Sequence, residues 1–124
     1  MSRSIIFVAV GGMIGSICRF LSVPFIVGFL PFRFPFGTFA VNLIGSFIMG
    51  AAVGMSERFA ELAPEWRIFV TAGFCGGFTT FSAFAFENVE LLLNKHYGTF
   101  AAYAIVSFAL CVAVAMAGFL ITRP

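Results

Sequence analysis

Charged residues in this chain are confined to a few short clusters, and that placement limits the fold more than any motif does. Between the clusters lie four apolar runs, at approximately 4–23, 36–55, 67–93 and 99–121. At about 1.5 Å per residue, some 20 residues in a helix cross the roughly 30 Å hydrocarbon core of a bilayer. Only 10% of residues are charged, against about 25% in a soluble domain. The pattern predicts an all-α integral membrane protein, one domain over 1–124, with four transmembrane helices. A net charge of +2 with no basic run excludes nucleic acid as a partner. The first run could imitate a signal peptide, but it lacks an Ala-x-Ala cleavage site and resumes after Arg19, so it reads as the first span.

The third run carries Gly73, Gly76, Gly77, Thr79 and Thr80 within eight residues. Each glycine inside a helix costs about 1 kcal/mol relative to alanine. A membrane helix tolerates a break where the freed backbone groups line a cavity or find partners. The third helix is therefore expected to be broken at 75–80. Two uses of the break stand equally. It could offer carbonyl oxygens to a cation. It could equally let two helices cross closely, since Gly73 and Gly77 form a small-xxx-small pair, as do Gly11 with Gly15 and Gly50 with Gly54.

Pro24 is expected to end the first helix, with Gly28, Pro31 and Pro35 forming a loop. Pro64 suits a helix entry and Trp66 an interfacial anchor. Residues 94–98 form a polar turn. Four passes put both termini on one side. Arg3, Arg58, Arg67 and Arg123 then lie on that side, against Arg33 and Lys95, with Arg19 near the other face. This small excess favours termini inside and also suits a chain that inserts both ways.

No catalytic constellation is present. His96 has no partner in a recognisable motif, and the carboxylates sit at segment ends, as solvated helix termini do. Cys18, Cys75 and Cys111 are far apart in apolar runs and read as packing residues. Within the spans the polar groups are mostly hydroxyl or amide donors: Asn42, Ser46, Thr79, Thr80, Tyr103 and Ser107 among them, with Arg19 and Glu87 nearer the edges. No carboxylate sits at mid-membrane to take a cation. Donors, an arginine and no central acid suggest an anion path. Phe78, Phe81 and Phe84 share a helical spacing. Their rings are ordinary packing residues or, by the positive ring edge, weak anion contacts.

The run Gly76-Gly77-Phe78-Thr79-Thr80-Phe81-Ser82-Ala83-Phe84 resembles the signature of the CrcB/Fluc fluoride channels. The resemblance covers the whole chain, through Gly11-Gly12 with Arg19, Phe36-Gly37-Thr38, Val41-Asn42-Leu43, and Tyr103 with Ser107. It implies a passive, fluoride-specific channel in the cell membrane that confers fluoride resistance. It implies an antiparallel, dual-topology homodimer with two pores. By position, Asn42, Phe81, Phe84, Thr80, Tyr103 and Ser107 correspond to the fluoride pathway, and the carbonyls of Gly76 and Thr79 to a structural Na+ site shared by both subunits. Cys111 stands where another hydroxyl of the fourth-helix track is expected. Arg19 is assigned either to a vestibule or to a pair with Glu87. Two other classes are weighed against this. A small multidrug-type dual-topology transporter needs an embedded acid in the first helix, where this chain has Arg19. A non-transporting membrane assembly subunit would use the glycine pairs alone.

Overall fold

The computed structural model describes residues 1–29 and 34–124. Among the described residues, four helices are long and apolar enough to cross a membrane: Ser2–Val27 (α1), Phe36–Arg58 (α2), the composite span Pro64–Leu93, and Tyr97–Thr122 (α6). The third comprises α3 (Pro64–Ile68), a π-helical stretch Phe69–Cys75, α4 (Gly76–Phe78) and α5 (Phe81–Leu93). Among the described residues there is no strand. The chain is a multi-pass membrane protein.

Pro24 lies inside α1, which continues to Val27, contrary to the expected stop. Proline removes its own donor, but Gly28 N–H still reaches the Pro24 carbonyl at 3.0 Å and the turn closes. Pro31 and Arg33, also assigned to the loop that follows, lie outside the described residues. Pro64 does start a helix, after Ala63 in extended conformation.

The third span ends in a turn that satisfies its last carbonyls. His96 N–H donates to Leu91 at 2.8 Å and Lys95 N–H to Leu92 at 3.1 Å, the two-bond pattern of a Schellman cap. That geometry needs a left-handed residue, and Lys95 occupies it with φ of 60°.

Two seams hold the bundle together. In one, α1 crosses the π-helical stretch and α4 with backbones in contact. A Cβ on Gly11 would stand 2.6 Å from the Phe69 carbonyl oxygen, and one on Gly15 would collide with the Phe74 carbonyl. Gly73 and Gly77 present the facing notches, against Gly11 and against Gly12 and Ser16. In the other seam, α2 and α6 run parallel. Gly50 abuts the Ala115 carbonyl, Gly118 abuts Phe47 and Ala51, and Gly54 abuts Phe119 and Thr122. Thr122 Oγ1 also donates to the Ala51 carbonyl at 3.0 Å.

The interior is small. Val41, Cys75 and Tyr103 are its fully buried larger side chains, while Phe20, Phe25, Phe108 and Leu93 face outward. In water such an apolar exterior would aggregate; in hydrocarbon it is the solvated surface.

Candidate functional site

The break in the third span falls at Thr79 and Thr80, within the expected 75–80 and just after the glycines. Gly76 and Gly77 are helical, and Thr79 (ψ 159°) and Thr80 (φ −150°, ψ 119°) are extended. Glycine's propensity cost is small beside packing, and here both glycines serve the close crossing with α1 or an open face. The break is fixed by polar contacts instead. Asn42 on α2 forms a reciprocal pair with Thr80: its Nδ2 donates to the Thr80 carbonyl at 3.1 Å, and Thr80 N–H donates to its Oδ1 at 2.8 Å. The helix restarts because the Thr80 hydroxyl accepts from Ala83 N–H at 3.1 Å, an N-cap.

The consequences for the backbone can be followed bond by bond. In an unbroken helix the Gly76 carbonyl would accept from Thr80 and the Thr79 carbonyl from Ala83. Both donors are diverted, to Asn42 and to the Thr80 hydroxyl. The Gly77 carbonyl, which would accept from Phe81, takes a bond from Arg19 Nε at 3.0 Å instead. Arg19 thus caps the end of α4. It does not pair with Glu87, whose carboxylate is engaged elsewhere.

Thr38 Oγ1 donates to Glu87 Oε2, and the Tyr103 hydroxyl to Glu87 Oε1, both at 2.8 Å. Glu87 is therefore not a freely solvated helix end; it joins α2, α5 and α6. This also fixes the register of the α2–α6 seam. Stepping back by turns from Gly50 and Ala115 sets Ser46 level with Cys111, Asn42 with Ser107, and Thr38 with Tyr103. The result is a ladder of polar rungs about one turn apart.

One open groove of about 530 Å³ runs along this ladder, with Asn42, Thr80, Phe81, Phe84, Ser107 and Cys111 on its walls. Of the six residues assigned to the pathway, five line it. The sixth, Tyr103, is fully buried at one end, its ring 4.9 Å from that of Phe84 and 5.2 Å from that of Phe34. Beyond Glu87 a second, polar cavity opens beside Glu90, Asn94 and His96. Phe81 and Phe84 sit 5.7 Å apart with planes tilted by 42°. Phe78 does not join them. It precedes the break, is buried, and stacks on Phe74 at 5.2 Å. Ser107 is 6% exposed and its hydroxyl has no partner. Thr38 was missed as a site residue, although its spacing of four from Asn42, and again from there to Ser46, was a readable signal.

Fold and site together define a four-span membrane protein with a largely apolar groove, dotted with hydroxyl and amide donors, beside a broken helix. Residues 6–119 match the family model described as CrcB-like protein, Camphor Resistance (CrcB). Curated relatives named "Fluoride-specific ion channel FluC" are similar along nearly the whole chain. The Leptospira interrogans protein is 40% identical over 94% of this chain and 92% of its own length. The Bacteroides fragilis protein is 44% identical over 94% and 93%, and the Campylobacter jejuni protein 40% over 99% and 100%. The chain belongs to the CrcB family.

Proposed function

We propose that this protein is a fluoride-specific channel of the cell membrane that lets cytoplasmic fluoride leave passively. The observation that carries the reading is the groove itself. It gathers Asn42, Thr80, Phe81, Phe84 and Ser107 on one face, with a buried Ser107 hydroxyl that no protein group satisfies. That hydroxyl leaves a donor unspent by the protein, and the relatives' names supply the ion.

Each residue has a definite task. Asn42 carries two amide hydrogens; Thr80 takes one, which fixes the side chain and leaves the other for the groove. The ring edges of Phe81 and Phe84 bear partial positive charge and hold an anion weakly enough to release it. Ser107 and Thr80 offer hydroxyl donors. Tyr103, held by Glu87, marks the end of the ladder toward the polar cavity. An inside-negative potential drives the anion outward, by about 2.3 kcal/mol per 100 mV.

The groove is open along the side where Phe81 stands 79% exposed. A second copy closing that side completes two equivalent paths, and an antiparallel pair about a twofold axis in the membrane plane is the arrangement proposed. The carbonyls of Gly76 and Thr79, released from their helical donors, fit a hard monovalent cation. We assign them to a structural Na+ that both subunits share, where it would neutralise those oxygens and tie the two breaks together.

Fluoride efflux from liposomes containing the purified protein tests this, with chloride efflux measured alongside. Rapid fluoride release with chloride retained is expected. Equal release of both ions, or of neither, would sink the reading.

A further inference from the structure

The polar ladder changes chemistry at its third rung. Ser46 on α2 faces Cys111 on α6, where the rung before it pairs Asn42 with Ser107. Cys75 joins at the same level from the third span, because its thiol reaches the carbonyl of Gly45, the residue next to Ser46, at 3.6 Å. Met49 lies one turn farther along α2 and lines the same groove as both thiols. Three sulfur-bearing side chains from three separate elements therefore line the same groove at neighbouring levels. One turn away, Ser107 presents a hydroxyl that is buried and unpartnered.

We infer that this end of the groove is a binding site for a soft monovalent cation, Ag+ or Cu+, held by Cys111 and Cys75 with Met49 in support. Thiolate and thioether sulfur select such ions over hard ones. Binding replaces a thiol proton: Cys–SH and Ag+ give Cys–S–Ag, and the proton leaves to water. The exchange of one proton for one metal ion leaves the local charge unchanged, so no uncompensated charge is buried. The bound metal occupies the third rung and closes the path. That last consequence rests on the proposed anion function; the binding itself does not.

The test has two arms, both run without chloride and with silver nitrate as the probe. Native mass spectrometry of the detergent-solubilised protein reads binding. One Ag+ per chain is expected, with affinity falling about tenfold or more in Cys111→Ser and in Cys75→Ser, and less in Met49→Leu. Cys18→Ser, on α1 outside the groove, should bind as the parent does. Unchanged binding in both Cys111→Ser and Cys75→Ser, or binding that vanishes with Cys18, overturns the site. Fluoride release from liposomes is the second arm. Silver should stop release by the parent and leave release by Cys111→Ser at that variant's own silver-free rate. Silver bound at Cys111 with release undiminished would overturn the blocking claim. A parent protein that releases no fluoride even without silver counts against the proposed function alone, and the binding arm still decides the site.

Discussion

The two seams of this bundle are built from the same residue type and end differently. Along α1 and the third span, Gly11, Gly15, Gly73 and Gly77 bring backbone onto backbone and leave no room between. Along α2 and α6, glycines close only one end, at Gly50, Gly54 and Gly118. Toward the other end the helices carry Thr38, Asn42, Ser46, Tyr103 and Ser107, and a groove stays open. Small residues that face small residues and backbone seal a membrane seam. Small residues followed by a polar ladder hold two helices at a distance that a side chain or an ion must fill. The difference marks one face of the molecule as structural and, under the proposed function, the other as the ion path.

The largest expected effect breaks the sealed seam. Gly15→Val drives a branched side chain into the Phe74 carbonyl, and overpacking of that kind costs about 3 kcal/mol or more when backbone must shift. Loss of the folded species on size-exclusion chromatography is expected. A stable Gly15→Val protein would show that the seam is looser than its backbone contacts indicate. Next comes the clamp on the break. Asn42→Ala leaves Thr80 N–H and C=O unpaired, at about 1–3 kcal/mol for each orphaned group. Faster hydrogen exchange at Thr80 and a lower unfolding midpoint are its signatures. Arg19 acts within the sealed seam, since it sits in α1 and caps the Gly77 carbonyl at the end of α4. Arg19→Met should cost about 1.5–3 kcal/mol, the range for a hydrogen bond from a charged donor, without opening the α1 crossing to crosslinkers.

The smallest effect lies outside both seams. Lys95 holds a left-handed conformation that glycine adopts without strain. Lys95→Gly should raise stability by up to about 1 kcal/mol, read as a higher unfolding midpoint with transport unaltered.

The spans were legible because charge avoids hydrocarbon, and a run such as 99–121 has no other home. The glycine pairs were legible too, as close approaches. The break at 75–80 was legible as well, but not what fixes it at Thr79 and Thr80. Gly76 and Gly77 looked like the weak points, yet the conformation of Thr80 is set by Asn42, a partner 38 residues away. No local propensity encodes that contact. Phe78 was grouped with Phe81 and Phe84 for the same reason, since a spacing rule assumes a continuous helix and two extended residues intervene. Glu87 read as a solvated terminus until the parallel register of α2 and α6 brought Thr38 and Tyr103 to it. Pro24 read as a stop, but an exposed helix surface absorbs one missing donor.

The central claim is that the open seam carries the ion and the sealed one does not. Fluoride release from liposomes tests it most directly when Phe81→Ile and Asn42→Asp are measured beside Cys18→Ser. The account predicts release slowed by about tenfold or more in the two groove variants, and parent-like release in Cys18→Ser. Parent-like release in Phe81→Ile and Asn42→Asp alike would contradict it and move the path out of the groove.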